Sequence, residues 1–162
     1  MKKMIIILMA ASMCAGCGEE KQAQKMQKPS QKNQNYIAAG INYLNEQDVP
    51  RAIQSFDMAI KTDPTNVENY LVLGQVYMRL KQYDRAIDTF SAAIKVSPDN
   101  PEAYYLLSLN SLLDGRFETA EKSAQRSAEI FMLNREEDKL KRSVALLKTI
   151  SEAKKQQEEA AQ

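Results

Sequence analysis

Apolar and small residues recur along this chain with the period of an α-helix. Within Val67–Asn100, Tyr70, Leu73, Gly74 and Tyr77 fall at i, i+3, i+4 and i+7, one face of a helix. Ala86, Phe90, Ala93 and Ile94 form a second such face, and Lys81-Gln82-Tyr83 supply the turn between the two. The pattern returns every 34 residues: Tyr36, Tyr70 and Tyr104 are in register, as are Ala52, Ala86 and Ala120. Gly40 pairs with Gly74, Tyr43 with Tyr77, Phe56 with Phe90, Ala59 with Ala93 and Pro64 with Pro98. Three helical hairpins are therefore expected, over Asn33–Asn66, Val67–Asn100 and Pro101–Asn134.

The small residues let the two helices of a hairpin approach closely, and the aromatics fill the space beside them. Pro64 and Pro98 break the chain between units, because proline cannot donate the next helical hydrogen bond. The third unit departs from the pattern: Ser108, Ser111, Ala124 and Met132 stand where Gly, Tyr, Phe and Pro stand before. Each hairpin keeps an uncovered apolar side, so the hairpins must stack. Asn134 followed by Glu137 reads as a capping box, which places a last helix from Arg135 to about Lys155, ahead of a polar tail over 156–162. Leu140, Val144, Leu147 and Ile150 form its apolar stripe, and its expected role is to cap the stack.

The period of 34, the aromatic at position four, Leu-Gly at seven and eight and the late proline resemble the tetratricopeptide repeat. The resemblance covers the three units, 34–134, and implies an all-α fold: a right-handed superhelical stack of helix-turn-helix units closed by the last helix. It also implies a concave groove lined by positions two, five, nine and twelve of each first helix. Those fall on Gln34, Ile37, Ile41 and Leu44, then Glu68, Leu71, Gln75 and Met78, then Glu102, Tyr105, Leu109 and Leu112. Eight of these twelve are apolar, and none is the Lys, Arg or Asn with which some members of the family clamp a terminal carboxylate. Such a groove suits an apolar extended segment or an amphipathic helix of a partner protein. The alternative is that Leu109 and Leu112 pack on neighbouring helices, or that the last helix or a second copy fills the groove.

The N-terminus carries a different pattern. Lys2-Lys3 precede an apolar run, Met4–Met13, which is followed by Cys14-Ala15-Gly16-Cys17. Ten residues span only about 15 Å as a helix, half of a hydrocarbon layer of roughly 30 Å. The run is too short for an anchor and reads as a cleavable export signal, 1–16. It resembles a bacterial lipoprotein signal, with Cys14 where that signal usually has Leu. The resemblance implies a palmitate-type lipid anchor on Cys17. Residues 17–33 read as a lipidated disordered tether, with Met26 as its one sizeable apolar side chain. Gly18 after that cysteine implies the outer membrane, facing the periplasm, in a two-membrane cell, and otherwise the outer face of the cytoplasmic membrane.

Charge adds little: 22 basic against 21 acidic residues give no basis for binding nucleic acid. Histidine is absent, which removes the commonest general base and metal ligand. No Gly-rich phosphate loop exists among the five glycines. With Cys14 removed and Cys17 lipidated, no internal disulfide forms. The polar runs Asp63-Pro64-Thr65-Asn66 and Ser97-Pro98-Asp99-Asn100 recur where inter-unit turns must fall and lack EF-hand spacing. The expectation is a non-enzyme without cofactor, metal or small-molecule substrate: an envelope scaffold whose partners are a protein segment and, through lipid, a membrane. The alternative role is a pilotin-like assembly factor for a secretion or pilus system.

Overall fold

The computed structural model describes residues 31–160; the expected export signal, Cys17 and the expected tether up to position 30 lie outside the described residues. Seven helices follow in order: α1 Gln31–Asn45, α2 Val49–Thr62, α3 Val67–Arg79, α4 Tyr83–Val96, α5 Pro101–Leu113, α6 Phe117–Leu133 and α7 Glu137–Ala160. Among the described residues there is no strand. α1 pairs with α2, α3 with α4 and α5 with α6, and α7 packs along α6. α3 also approaches α5, and α5 approaches α7, whereas α2, α4 and α6 make no comparable approach to one another. First helices therefore line the inner side of the stack.

The closeness of each of the first two hairpins rests on one glycine. A Cβ at Gly40 would lie 2.6 Å from the Phe56 ring, and one at Gly74 only 2.5 Å from Phe90. Both rings are fully buried, as are Ala52, Ala59, Ala86 and Ala93 beside them. Burial of each phenylalanine stabilises the fold by about 1.5–3 kcal/mol. In the third unit Ser108 and Ala124 replace this pair, and the Ser108 hydroxyl donates to the Ala120 carbonyl at 2.7 Å.

Two kinds of turn alternate. α1, α3 and α5 end in Schellman turns, in which Asp48, Gln82 and Arg116 N–H donate back to Tyr43, Tyr77 and Ser111 carbonyls. The residue at the left-handed position is Gln47, Lys81 and Gly115 in turn, 34 apart. Tyr83 is thus the first residue of α4 and not part of the turn. α2 and α4 end instead in the proline turns, and Tyr70 Oη donates to the Pro64 carbonyl at 3.0 Å. Asn66 and Asn100 then cap α3 and α5 with their side-chain oxygens.

The last helix differs from the sequence expectation at both ends and in phase. α6 runs to 17 residues against 14 in α2 and α4, because Met132 stands in the place of the helix-ending proline. It closes with a Schellman turn, Glu136 N–H to Phe131 carbonyl, with Arg135 at φ 60°. A residue in that conformation cannot begin a helix, so the capping box at Asn134 does not form; Asn134 caps the end of α6, and α7 starts at Glu137. The helix also continues past Lys155 to Ala160. Its buried residues are Ser143, Leu146 and Ile150, while Val144 of the expected stripe is 51% exposed. Small Ser143 lets α7 approach α6, with its hydroxyl 3.0 Å from that of Ser127. At the other end of the stack Asn33, expected in the tether, is buried within α1 and donates to the Ala59 carbonyl at 2.9 Å.

Gly74→Ala should lower stability by about 1–3 kcal/mol, because overpacking outweighs the gain in helix propensity. Combining it with Phe90→Ala, which copies the small pair of the third unit, should cost less than the sum of the two single changes. Thermal melts of the four proteins give the coupling; additive costs would show that ring and glycine do not share the space.

Candidate functional site

The twelve groove positions divide into an open and a covered half. On α1, Ile41 is 46% exposed and Gln34 is exposed, while Ile37 and Leu44 are half-buried against Ala52, Phe56, Leu73 and Val76. On α3, Glu68 is exposed, and Gln75 and Met78 are half-buried. Leu71, at 4% exposure, belongs to the core with Ala86, Phe90 and Leu106 and is closed to a partner.

The third unit is different because α7 stands beside it. Tyr105, Leu109 and Leu112 are half-buried against the cluster that Ala120 and Ala124 of α6 form with Leu146 and Ile150 of α7. Tyr105 also packs on the cluster around Leu71 and Phe90, so one ring joins two parts of the core. The Arg142 guanidinium lies 5.2 Å from the centre of that ring and 3.6 Å from Glu102 Oε2. A cation over a ring face and beside a carboxylate is attracted to both. Lys154 and Glu121 add a second ion pair between α7 and α6, at 3.9 Å. Sequence reasoning missed Arg142, since position eight of the preceding units holds Gly or Ser and gives no sign of a side chain reaching across.

Electrostatically the site is mild. The Lys139 ammonium donates to the Glu136 carboxylate and holds it below the usual range, with Asn134 assisting. Burial pushes the Tyr77 phenol up, helped by Asp57 and opposed by Arg85, whose guanidinium stands 5.6 Å from the ring. Among the described residues no group of His, Cys, Asp or Glu is placed to hold a metal ion, and no helix is long and apolar enough to cross a membrane. The most open apolar groove position is therefore Ile41, with Ile37, Leu44, Gln75 and Met78 half-buried on the two first helices that α7 does not reach. Chemically these residues can bury apolar side chains and pair one amide.

Residues 43–110 match the tetratricopeptide repeat family. No curated protein sequence matches the chain closely enough to count as a relative. Solved structures do resemble it. The TPR2B domain of yeast Sti1, in its complex with pHsp70, is 18% identical with a TM-score of 0.69, over 76% of this chain and 98% of that one. SycD of Yersinia enterocolitica, a type III secretion chaperone solved with a peptide of the translocator YopD, is 20% identical with a TM-score of 0.66, over 75% and 93%. PcrH from Pseudomonas aeruginosa is 18% identical with a TM-score of 0.68, over 80% and 98%. At these identities the likeness establishes the fold, an all-α stack of tetratricopeptide hairpins.

Tyr105→Ala should lower stability by about 2 kcal/mol or more, since truncation opens a cavity where two clusters meet. Arg142→Ala should cost less than about 1 kcal/mol, as its contacts are solvated. Circular-dichroism melts separate the two. An unmoved midpoint for Tyr105→Ala would mean that the ring is a free surface group.

Proposed function

We propose that this protein is a non-enzymatic peptide-binding scaffold of the bacterial cell envelope, held to a membrane by lipid on Cys17. The bound segment is apolar or amphipathic and lies along α1 and α3. The observation that carries the reading is Ile41, an isoleucine 46% exposed on the inner side of the stack. Ile37 and Leu44 on the same helix and Gln75 and Met78 on α3 are half-buried, so parts of their side chains are open to solvent as well. Apolar surface of this kind gains free energy when another chain covers it. Peptides held by similar folds, such as the YopD segment on SycD, support the peptide-binding part of this reading.

The envelope part rests on the first seventeen residues. The short apolar run behind Lys2 and Lys3 supports export, and Ala15-Gly16-Cys17 supports cleavage and acylation at Cys17. With Gly18 next, the anchor belongs in the outer membrane facing the periplasm where two membranes exist, and otherwise on the outer face of the cytoplasmic membrane. The tether keeps the stack close to that surface and outside it, where it reaches segments of neighbouring envelope proteins.

A photo-crosslinking residue at Ile41 or Met78 in intact cells should capture one defined protein, identified by mass spectrometry. Ile41→Asp, with the photo-crosslinking residue at Met78, should reduce that capture tenfold or more, since it puts a charge on the apolar contact, while the melting midpoint stays within a few degrees because Ile41 is exposed. Full capture by Ile41→Asp places binding elsewhere.

Cys17→Ser should abolish incorporation of labelled fatty acid and release the protein from membranes. Equal labelling of the variant would remove the anchor from the proposal.

A further inference from the structure

α7 presents a second apolar surface, separate from the groove. Because its buried line runs through Ser143, Leu146 and Ile150, it turns Leu140, Val144 and Leu147 toward the open side of its seam with α6. There Ala128, Met132, Gln125 and Glu129 of α6, with Leu140 and Leu147, line a shallow cleft of about 270 Å3. Val144 is 51% exposed, Met132 59% and Leu133, next in the chain, 74%. Met132 thus lines the cleft, and Val144 stands on α7 between Leu140 and Leu147 at the spacing that puts the three on one face.

The spacing of Leu140, Val144 and Leu147, four then three, is that of a coiled-coil seam. Lys141, Lys148 and Lys155 stand seven apart in the positions that flank such a seam, on the side remote from the buried line of α7. All three are exposed, and their ion pairs stay within the helix: Lys141 with Asp138 at 3.4 Å, Lys148 with Glu152 at 3.8 Å and Lys155 with Glu159 at 3.7 Å. Exposed pairs of this kind are weak, so the ammonium groups can turn to a partner's carboxylates. The α6 flank carries Gln125 and Glu129, the latter paired with Arg126 at 3.1 Å.

We infer that this seam docks an amphipathic helix of a partner protein, with an acidic edge running along Lys141, Lys148 and Lys155 and its apolar stripe on Leu140, Val144, Leu147 and Met132. A second copy of this chain fits the seam poorly. Two antiparallel α7 helices would set the lysine row against itself, a like-charge contact that opposes pairing. In a parallel pair each lysine row would face Ser143 and Ile150, which are already buried.

The test uses the full chain and two synthetic 21-residue helices with Leu at the a and d positions. One carries Glu at every flanking position, the other Lys. Fluorescence anisotropy should show the Glu helix binding at least tenfold tighter at low salt, with the advantage shrinking as salt rises. Lys141→Glu with Lys148→Glu should reverse the preference, and Val144→Asp should abolish binding without moving the thermal midpoint, since Val144 is exposed. Ile41→Asp, in the groove, should leave binding of the Glu helix unchanged. Equal affinity for the two helices, no binding of either, or loss on Ile41→Asp instead of Val144→Asp would overturn the inference. A concentration-dependent dimer in sedimentation that Val144→Asp dissolves would assign the seam to a second copy and overturn it as well.

Discussion

The structure depends on how closely two helices can lie when one of them lacks a side chain. Gly40 and Gly74 each leave the space that a phenylalanine ring fills, and the ring in turn fixes the separation of the helices. That separation leaves room only for alanine at 52, 86 and 120, all fully buried. A third unit with Ser and Ala in place of Gly and Phe keeps the hairpin by another route. It gives up ring volume and gains a buried hydroxyl bonded to the Ala120 carbonyl. Close approach is thus the conserved quantity along the stack, and the atoms that supply it are not.

The turns decide what each helix presents to the next. Proline turns after α2 and α4 set the following first helix at the spacing repeated through the sequence. Loss of the proline at Met132 lets α6 run on by a turn, and a Schellman turn takes over. That change rephases α7. Its small and apolar residues at 143, 146 and 150 go inward, and the residues at 140, 144 and 147 stay on the flank. A cap for the stack and an apolar seam beside it arise together from one substitution in the repeat.

Much of this was legible in the sequence, and the misses share a cause. The 34-residue period gave hairpins, unit boundaries and core positions, because each is a local matter of spacing and residue size. α7 was found by its periodicity, but an amphipathic pattern with two apolar lines does not say which faces inward. That depends on the length of α6 and on the left-handed conformation of Arg135, which no residue type announces. Register assigned candidate groove positions, but not how open each one is, since Tyr105 is covered by packing against Leu146 and Ile150 of α7, with Arg142, 37 positions further along the sequence, over its ring. Asn33 looked like tether because a polar residue gives no periodic signal, whereas it is buried in α1 with its amide bonded to the Ala59 carbonyl.

That carbonyl has a wider consequence. The oxygen of Ala59 accepts from Asp63 N–H at 3.0 Å, from Asn33 Nδ2 at 2.9 Å and from Asn69 Nδ2 at 3.2 Å, joining α1, the end of α2 and α3 at one atom. At the next junction the residue matching Asn69 is Ala103, buried among Leu106 and Leu107, so the joint there is apolar. A stack whose units are coupled only to neighbours opens from its more weakly held end. The first hairpin, which α2 joins to α3 over a smaller contact than α4 makes with α5, is that end, and it carries the α1 part of the groove. Amide exchange should therefore run fastest through α1 and α2, and a segment that bridges α1 to α3 would act as a brace, slowing local opening as it binds.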